Sequence, residues 1–162
     1  MELPQRKPNR IRDYDYSTPG AYFITVCTVN RAKIFWTGVG ADIIRPESVP
    51  LSPIGKIVEQ GIQNIHAHYE NISVDKYCIM PDHIHLILSV QSHGSGRIIS
   101  APTISTVVGS MKRWVSRQAG RPVWQKSFFD HGIRNQHDYL MIWEYIDNNP
   151  ARWKEDCFCE EE

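Results

Sequence analysis

The stretch YCIMPDHIHLILSV, from Tyr77 to Val90, constrains the fold more than any other part of the chain. Successive side chains of a β-strand point to opposite faces, so this alternating pattern assigns its residues to two sides. The aliphatic set that turns toward the core is Ile84, Leu86, Leu88 and Val90. His83 and His85 share the other face, where we expect them to emerge side by side.

The residues before the histidines favour a tight turn. Pro81 presets the backbone angle that a turn needs, and the side chain of Asp82 can cap it. We therefore predict a β-hairpin in which the segment from Asp75 to Met80 pairs with the segment from His83 to Val90.

Two imidazoles on one strand face can bind the same divalent metal ion, since neutral imidazole is a common ligand for such ions. Two ligands alone make a weak site, so a third ligand must come from elsewhere. The spacing of His83 and His85 is equally compatible with ordinary half-exposed strand histidines, and both interpretations stay open at this point.

The length of 162 residues predicts a single domain spanning residues 1–162. Hydrophobic residues make up 41% and charged residues 22% of the sequence, as in ordinary globular proteins. No apolar run is long enough to span a bilayer, and the amino terminus lacks the apolar core of a signal peptide, so we expect a cytoplasmic protein without membrane contact. Four cysteines without zinc-type spacing are expected to be reduced bystanders: Cys27, Cys78, Cys157 and Cys159.

The formal net charge of zero conceals a segregation of charge. Residues 1–13 form a basic arm among prolines, whereas residues 154–162 form an acidic tail. Between Arg97 and Lys126 there are six basic residues and no acidic residue. This segment is compatible with a phosphate-binding face and also with a solvated helix face that acids elsewhere balance.

Periodicity predicts the remaining secondary structure. The predicted elements are a strand from Ala21 to Val29, a helix from Ser52 or Pro53 to about Tyr69, the histidine hairpin, a helix from about Thr103 to Gln118, a strand from Val123 to Phe129, and a helix capped by Asn135 that reaches Asn148. This βαββαβ order with one additional helix predicts an α+β fold, a ferredoxin-like or RRM-like sandwich with an antiparallel sheet.

The additional helix carries WEYIDNNP, in which Tyr145 and Asn149 are four residues apart and hence on one helix face. A phenolic oxygen can attack phosphorus when a metal polarises the phosphodiester. The amide oxygen of Asn149 could complete the metal ligands. A tyrosine in an amphipathic helix is also a common packing residue, and we interpret Tyr139 in that way.

Four blocks of this sequence resemble one known family. His83-Ile84-His85 within MPDHIHLIL is similar to the His-hydrophobe-His (HUH) motif of single-tyrosine transposases. The blocks RIRDYDYSTPGAYFITVCTVNR, ISTVVGSMKRWVS, VWQKSFFDHGIRN and YIDNNP resemble the branch called REP-associated tyrosine transposases. The resemblance extends from about Arg10 to Trp153.

The resemblance implies roles for particular residues. His83 and His85 would bind Mg²⁺ or Mn²⁺ together with Asn149, and Tyr145 would be the nucleophile that forms a 5′-phosphotyrosine link to single-stranded DNA. The expected substrate is a palindromic hairpin with a short flanking sequence, and the expected location is bacterial and nucleoid-associated. The candidate DNA-contacting residues are Arg10, Arg12, Lys112, Arg113, Arg117, Lys126, His131 and Arg134.

Several alternatives remain open. The chain could be a catalytically inactive nucleic-acid-binding module with the same fold. A histidine-triad nucleotide hydrolase would need a third histidine where Ile87 stands, and replication initiators and relaxases, which share the chemistry, are usually larger. We favour a monomer over a dimer, because the segment from Arg152 could hold the tyrosine helix against its own sheet.

Overall fold

A computed structural model of the chain describes residues 20–37, 51–91 and 103–149. Within these ranges, the elements in chain order are β1 (Gly20–Cys27), α1 (Pro53–His68), β2 (Ile72–Ile79), β3 (His83–Val90), α2 (Ile104–Ala119), β4 (Phe129–Ile133) and α3 (Gln136–Asn148). A single turn of 3₁₀ helix, Val29–Arg31, follows β1. The order confirms the predicted βαββαβ unit with one additional helix.

The four strands form one sheet in the order β2-β3-β1-β4, and every neighbouring pair is antiparallel. The predicted α+β class and antiparallel sandwich are therefore confirmed. The central strands β1 and β3 pair so that Thr25 lies opposite His85 and Cys27 lies opposite His83. Because residues directly opposite each other share a face, this register decides which side chains of β1 surround the histidines.

Helices α1 and α2 pack against each other and cover one face of the sheet. On β3, the side chains predicted to turn toward the core point to this face and are buried there: Ile84, Leu86, Leu88 and Val90. Gly61 allows the close helix contact, because a Cβ atom at this position would lie 2.8 Å from Cγ2 of Val115. Helix α3 packs on the opposite face, over β2 and β3.

Local signals in the sequence fix the helix ends. The side chains of Ser52, Thr103 and Asn135 accept hydrogen bonds from the first turns of the three helices. Gly120 ends α2 in the left-handed conformation, at φ 72°, which glycine adopts without steric cost. The predicted helix bounds are correct to within one or two residues.

The predicted position of the last strand is wrong. We expected a strand from Val123 to Phe129, whereas β4 begins at Phe129. The apolar side chains that produced this prediction, Val123, Trp124 and Phe128, are buried, but their backbone forms only an isolated bridge between Trp124 and Thr28. The hairpin is also longer than predicted, since β2 begins at Ile72 and has a bulge between Val74 and Lys76.

Some predictions lie outside the described residues. These are the basic arm of residues 1–13 with Arg10 and Arg12, the acidic tail of residues 154–162, and Cys157 and Cys159. Over the part of the chain that is described, no helix combines the length and the apolar character needed to cross a membrane.

Candidate metal and tyrosine site

His83 and His85 lie on the sheet face that α3 covers. Both are 0% exposed, so the expectation that they emerge from the sheet surface is wrong. They share a face as the alternation predicted, but the packing of α3 across that face buries them. Burial without a hydrogen-bond partner would be costly for imidazole nitrogens. The hydrogen-bond partners of each ring therefore decide which nitrogens carry protons and which can bind a metal ion.

The Nε2 atoms of His83 and His85 face each other at 3.2 Å. Two nitrogens that each lie about 2.1 Å from one metal ion are about 3.0–3.4 Å apart. Without an ion, one of the two rings must carry a proton between these nitrogens. The pair is therefore arranged either as a hydrogen bond between imidazoles or as two ligands of one cation.

Asp82 fixes the orientation of His83. Its Oδ1 atom accepts a hydrogen bond from Nδ1 of His83 at 2.7 Å, and its Oδ2 atom lies 3.2 Å from Nε of Arg31. A carboxylate that accepts from Nδ1 leaves Nε2 with its lone pair, the form that binds metals. Arg31 takes a positive φ of 54°, a costly conformation that brings its guanidinium to this buried carboxylate.

Backbone hydrogen bonds hold the turn that precedes the histidines. The carbonyl oxygen of Pro81 accepts from the amides of Ile34 and Phe35, at 2.9 and 3.0 Å. The carbonyl oxygen of Asp82 accepts from the amide of Thr28 at 2.9 Å. The segment after β1 thus anchors the turn and, with it, the carboxylate that orients His83.

Thr25 orients the second histidine. Its hydroxyl lies 2.9 Å from Nδ1 of His85, and both groups are buried. The ring of Phe23 stacks on His85, with centroids 5.2 Å apart. Each imidazole therefore has its Nδ1 atom engaged by a neighbouring side chain and its Nε2 atom turned toward the other ring.

Tyr145 lies against this pair. Its ring centroid is 5.5 Å from that of His85 and 6.2 Å from that of Phe23, both in edge orientations. The side chain is 38% exposed, so its hydroxyl-bearing ring borders both the buried histidines and solvent. The helix that carries Tyr145 thus brings its ring next to that of His85, at the border between the buried histidines and solvent.

Asn149 follows one helical turn later and keeps a helical backbone, with φ −60° and ψ −46°. The residue is only 3% exposed, and its Oδ1 atom has no hydrogen-bond partner among the described residues. A buried acceptor without a donor is costly, and a cation would satisfy it. In the described ranges, no group of three or more His, Cys, Asp or Glu residues could hold a metal ion.

Polar contacts fasten α3 to β2. The hydroxyl of Tyr139 donates to Oδ2 of Asp75 at 2.8 Å, and Nζ of Lys76 lies 2.7 Å from Oδ1 of Asp147. Burial, together with the hydrogen bond and charge of Asp75, raises the pKa of Tyr139 to about 12. A phenol held protonated in this way is a poor nucleophile, which agrees with the interpretation of Tyr139 as a packing residue.

Four of the predicted DNA-contacting residues line one groove of about 540 Å³ between α2 and the loop that follows it: Lys112, Arg113, Arg117 and Lys126. All except Lys112 are exposed. Nζ of Lys112 donates to the carbonyl oxygens of Gln125 and Ser127, at 2.7 and 3.3 Å, and burial lowers its pKa. Lys112 therefore ties the loop to the helix, and the groove offers three exposed cations to a ligand.

The two other described candidates lie near the junction of β4 and α3. Nε2 of His131 is 3.2 Å from Oδ2 of Asp138, which links the strand to the helix. Arg134 is exposed in the short connection between them. The aromatic residues of this region are withdrawn from the surface: Trp124 and Phe128 are buried and Trp114 is half-buried.

Sequence reasoning missed the residues that orient the histidines. From the sequence, Asp82 is interpreted only as a turn residue, although a carboxylate directly before a candidate ligand histidine is a usable signal. Thr25 and Arg31 carried no signal, because they contact the site only through the pairing of β1 with β3 and the turn after β1.

A comparison with protein families matches residues 20–149 to the family described as "Transposase IS200 like". A Haemophilus influenzae protein of uncharacterised function is 30% identical over 173 residues, covering 95% of this chain and 93% of that protein. A second protein from the same organism, provisionally named a REP-associated tyrosine transposase, is 24% identical over 148 residues and spans 85% of this chain and 74% of its own length.

The fold also resembles that of a solved structure, a REP-associated tyrosine transposase bound to a REP hairpin. The TM-score is 0.59 at 19% sequence identity, over 94% of this chain and 74% of the other. Likeness at this level of identity concerns the fold.

Proposed function

Because the chain belongs to the IS200-like transposase family, we propose that it cleaves and rejoins single-stranded hairpin DNA through a covalent link to Tyr145. The proposal rests on one contact above all, the approach of the Tyr145 ring to within 5.5 Å of the His85 ring. A nucleophile beside two convergent imidazole nitrogens is the arrangement that metal-assisted phosphoryl transfer needs.

The reaction has two steps, cleavage and rejoining. The phenolic oxygen of Tyr145 attacks phosphorus, the bond to the 3′ oxygen breaks, and that oxygen leaves as a 3′-hydroxyl after taking up a proton. Tyr145 loses its proton to solvent, which its partial exposure allows. In the return step, a 3′-hydroxyl attacks the phosphotyrosine, restores a phosphodiester and releases Tyr145. No ATP is required, because the phosphotyrosine bond conserves the energy of the broken bond.

His83, His85 and Asn149 are the residues that would hold a metal ion. Mg²⁺ or Mn²⁺ in such a site supplies positive charge that stabilises the oxygens of the attacked phosphate. Asp82 and Thr25 keep both Nδ1 atoms engaged, and this fixes the two Nε2 atoms toward one point. Imidazole suits Mn²⁺ better than Mg²⁺, so we expect weak binding in the absence of DNA.

Two observations support hairpin DNA as the substrate, the exposed cations of the groove and the ligand of the structural relative. The exposed cations Arg113, Arg117 and Lys126 offer contacts to phosphates without reading the sequence. The structural relative is bound to a REP hairpin, and we propose a palindromic hairpin as the substrate of this chain as well.

We further propose that the protein acts as a monomer, with Tyr145 serving the histidines of its own chain. The ion pair between Lys76 and Asp147 and the bond between Tyr139 and Asp75 support this proposal, because they fasten α3 to its own sheet. A sedimentation mass of about 18.7 kDa at assay concentrations is the expected result, and a persistent dimer would contradict it.

The test of function is covalent adduct formation. The protein is incubated with hairpin oligonucleotides from the DNA that flanks its gene, with Mn²⁺ or Mg²⁺, and the products are separated on a denaturing gel. We expect a metal-dependent adduct that Tyr145→Phe and His83→Ala abolish and that Tyr139→Phe retains. Hairpin binding without any adduct would favour an inactive binding module with the same fold.

A further inference from the structure

Phe129 is an exposed aromatic residue at the start of β4. Its side chain is 45% exposed, and it is the one exposed large hydrophobic residue in the described strands. Nearly half of the ring is open to solvent, and β4 lies at the edge of the sheet, where a ligand can reach it.

The strand register places Phe129 on the same face as the histidines. Thr25 lies opposite Phe129 in the pairing of β1 with β4 and opposite His85 in the pairing of β1 with β3. Residues directly opposite share a face, so the three side chains form a row across the sheet. One end of this row is the buried imidazole beside Tyr145, and the other end is the exposed ring of Phe129.

The cationic groove leads toward Phe129 along the chain. Lys126, one of its exposed cations, precedes Phe129 by three residues. Lys112 fixes the intervening backbone by its bonds to the carbonyl oxygens of Gln125 and Ser127. The groove and the start of β4 are thus joined by a short connection whose backbone is held by Lys112.

We propose that Phe129 is a substrate-positioning residue on whose ring an unpaired base of single-stranded DNA stacks, next to the phosphate that Tyr145 attacks. The proposal deepens the proposed function and rests on it. A nucleic-acid base is the occupant that fits, because an exposed aromatic ring that follows an exposed cation by three residues matches the flat bases and charged backbone of a single strand. An apolar protein partner would not need the cations.

The test uses binding rather than chemistry. Tyr145→Phe protein is titrated, with Mn²⁺, into a hairpin oligonucleotide whose single-stranded flank carries 2-aminopurine at one position at a time. We expect fluorescence quenching at one or two flank positions. In the Tyr145→Phe protein, the additional substitution Phe129→Ala should remove this quenching. It should also weaken hairpin binding about 5- to 150-fold, which is the range expected for the loss of one base–aromatic stack. Phe129→Tyr, which keeps the ring, should retain both.

Leu140→Ala provides the matched control, since Leu140 is an exposed hydrophobic residue on α3 and should leave quenching and affinity unchanged. Unaltered quenching and affinity in Phe129→Ala would overturn the proposal, as would a change in sedimentation mass that assigns Phe129 to a contact between copies. Absence of hairpin binding by the Tyr145→Phe protein would also overturn it. Failure of the proposed function has a different signature, in which Phe129-dependent quenching occurs but wild-type protein forms no adduct.

Discussion

The carboxylate of Asp82 joins Arg31 to His83, with its Oδ2 atom 3.2 Å from Nε of the arginine and its Oδ1 atom 2.7 Å from Nδ1 of the histidine. Asp82 is only 2% exposed, so its charge is stabilised by these two partners in place of water. The turn residue is thus part of the candidate metal site, because it holds the ring nitrogen opposite the one that would meet the ion.

Asp82→Asn should lower metal affinity about 10- to 100-fold, the usual loss when a carboxylate that orients a ligand is removed. The amide keeps the shape but does not enforce the tautomer of His83 that leaves Nε2 free. Mn²⁺ titration by calorimetry or electron paramagnetic resonance, with hairpin DNA present, measures the effect. Asp147→Asn removes an exposed ion pair with Lys76 and should leave the affinity unchanged. Equal affinities in the two variants would contradict this role of Asp82.

Tyr139→Phe should lower the free energy of unfolding by about 1 kcal/mol at pH 8, since it deletes the hydrogen bond to Asp75. The pKa of Tyr139 rises from 10.0 to about 12 on folding, so the folded state binds the phenolic proton more tightly than the unfolded state. The contribution is therefore complete below pH 10 and is lost as the pH rises toward 12.

Urea unfolding of wild type and Tyr139→Phe between pH 8 and 12 tests this dependence, and the difference between the two should shrink over the upper part of the range. A difference that stays constant across the range would contradict the assignment.

Gly61→Ala should destabilise the protein by about 1–3 kcal/mol through overpacking, because the new Cβ would lie 2.8 Å from Cγ2 of Val115. This cost exceeds the gain in helix propensity, which is at most about 1 kcal/mol. Gly109→Ala is the matched control, since its Cβ would meet only the flexible end of Arg113 at 3.3 Å. We expect that variant to be neutral or slightly stabilised in urea unfolding. A stable Gly61→Ala protein would show that α1 and α2 can move apart.

Arg117→Ala combined with Lys126→Ala should weaken hairpin binding and reduce its dependence on salt. If each cation contacts one phosphate, the slope of log K against log salt should fall by about 1.4–1.8. Binding isotherms between 50 and 300 mM salt provide the measurement. Lys56→Ala removes an exposed cation from α1, outside the groove, and should leave the slope unchanged. A similar reduction in both proteins would indicate a diffuse charge effect.

Prediction from the sequence succeeded where the signal was local. The two-residue period of β3 identified the face that His83 and His85 share. The four-residue spacing of Tyr145 and Asn149 predicted one helix face for both, and the backbone is helical up to Asn149. The prediction failed at β4. The apolar pattern of Val123, Trp124 and Phe128 is typical of a buried strand, but the residues that pair with β1 come later, from Phe129 to Ile133. Strand pairing depends on the whole sheet. Asp130 and Gly132 have low strand preference, yet they pair with β1 because its edge presents backbone hydrogen-bonding groups there.

Local patterns were enough to predict the number and order of the elements, the α+β class and the residue types of the candidate site, because periodicity, caps and turns act over a few residues. Three features could be seen only in the folded protein: the burial of the histidines by α3, the contact of Thr25 with His85 60 residues away, and the contact of Arg31 with Asp82. These contacts depend on strand register and helix docking, which long-range packing sets. The chemistry of the site thus follows from local patterns, whereas its burial and orientation follow from the fold.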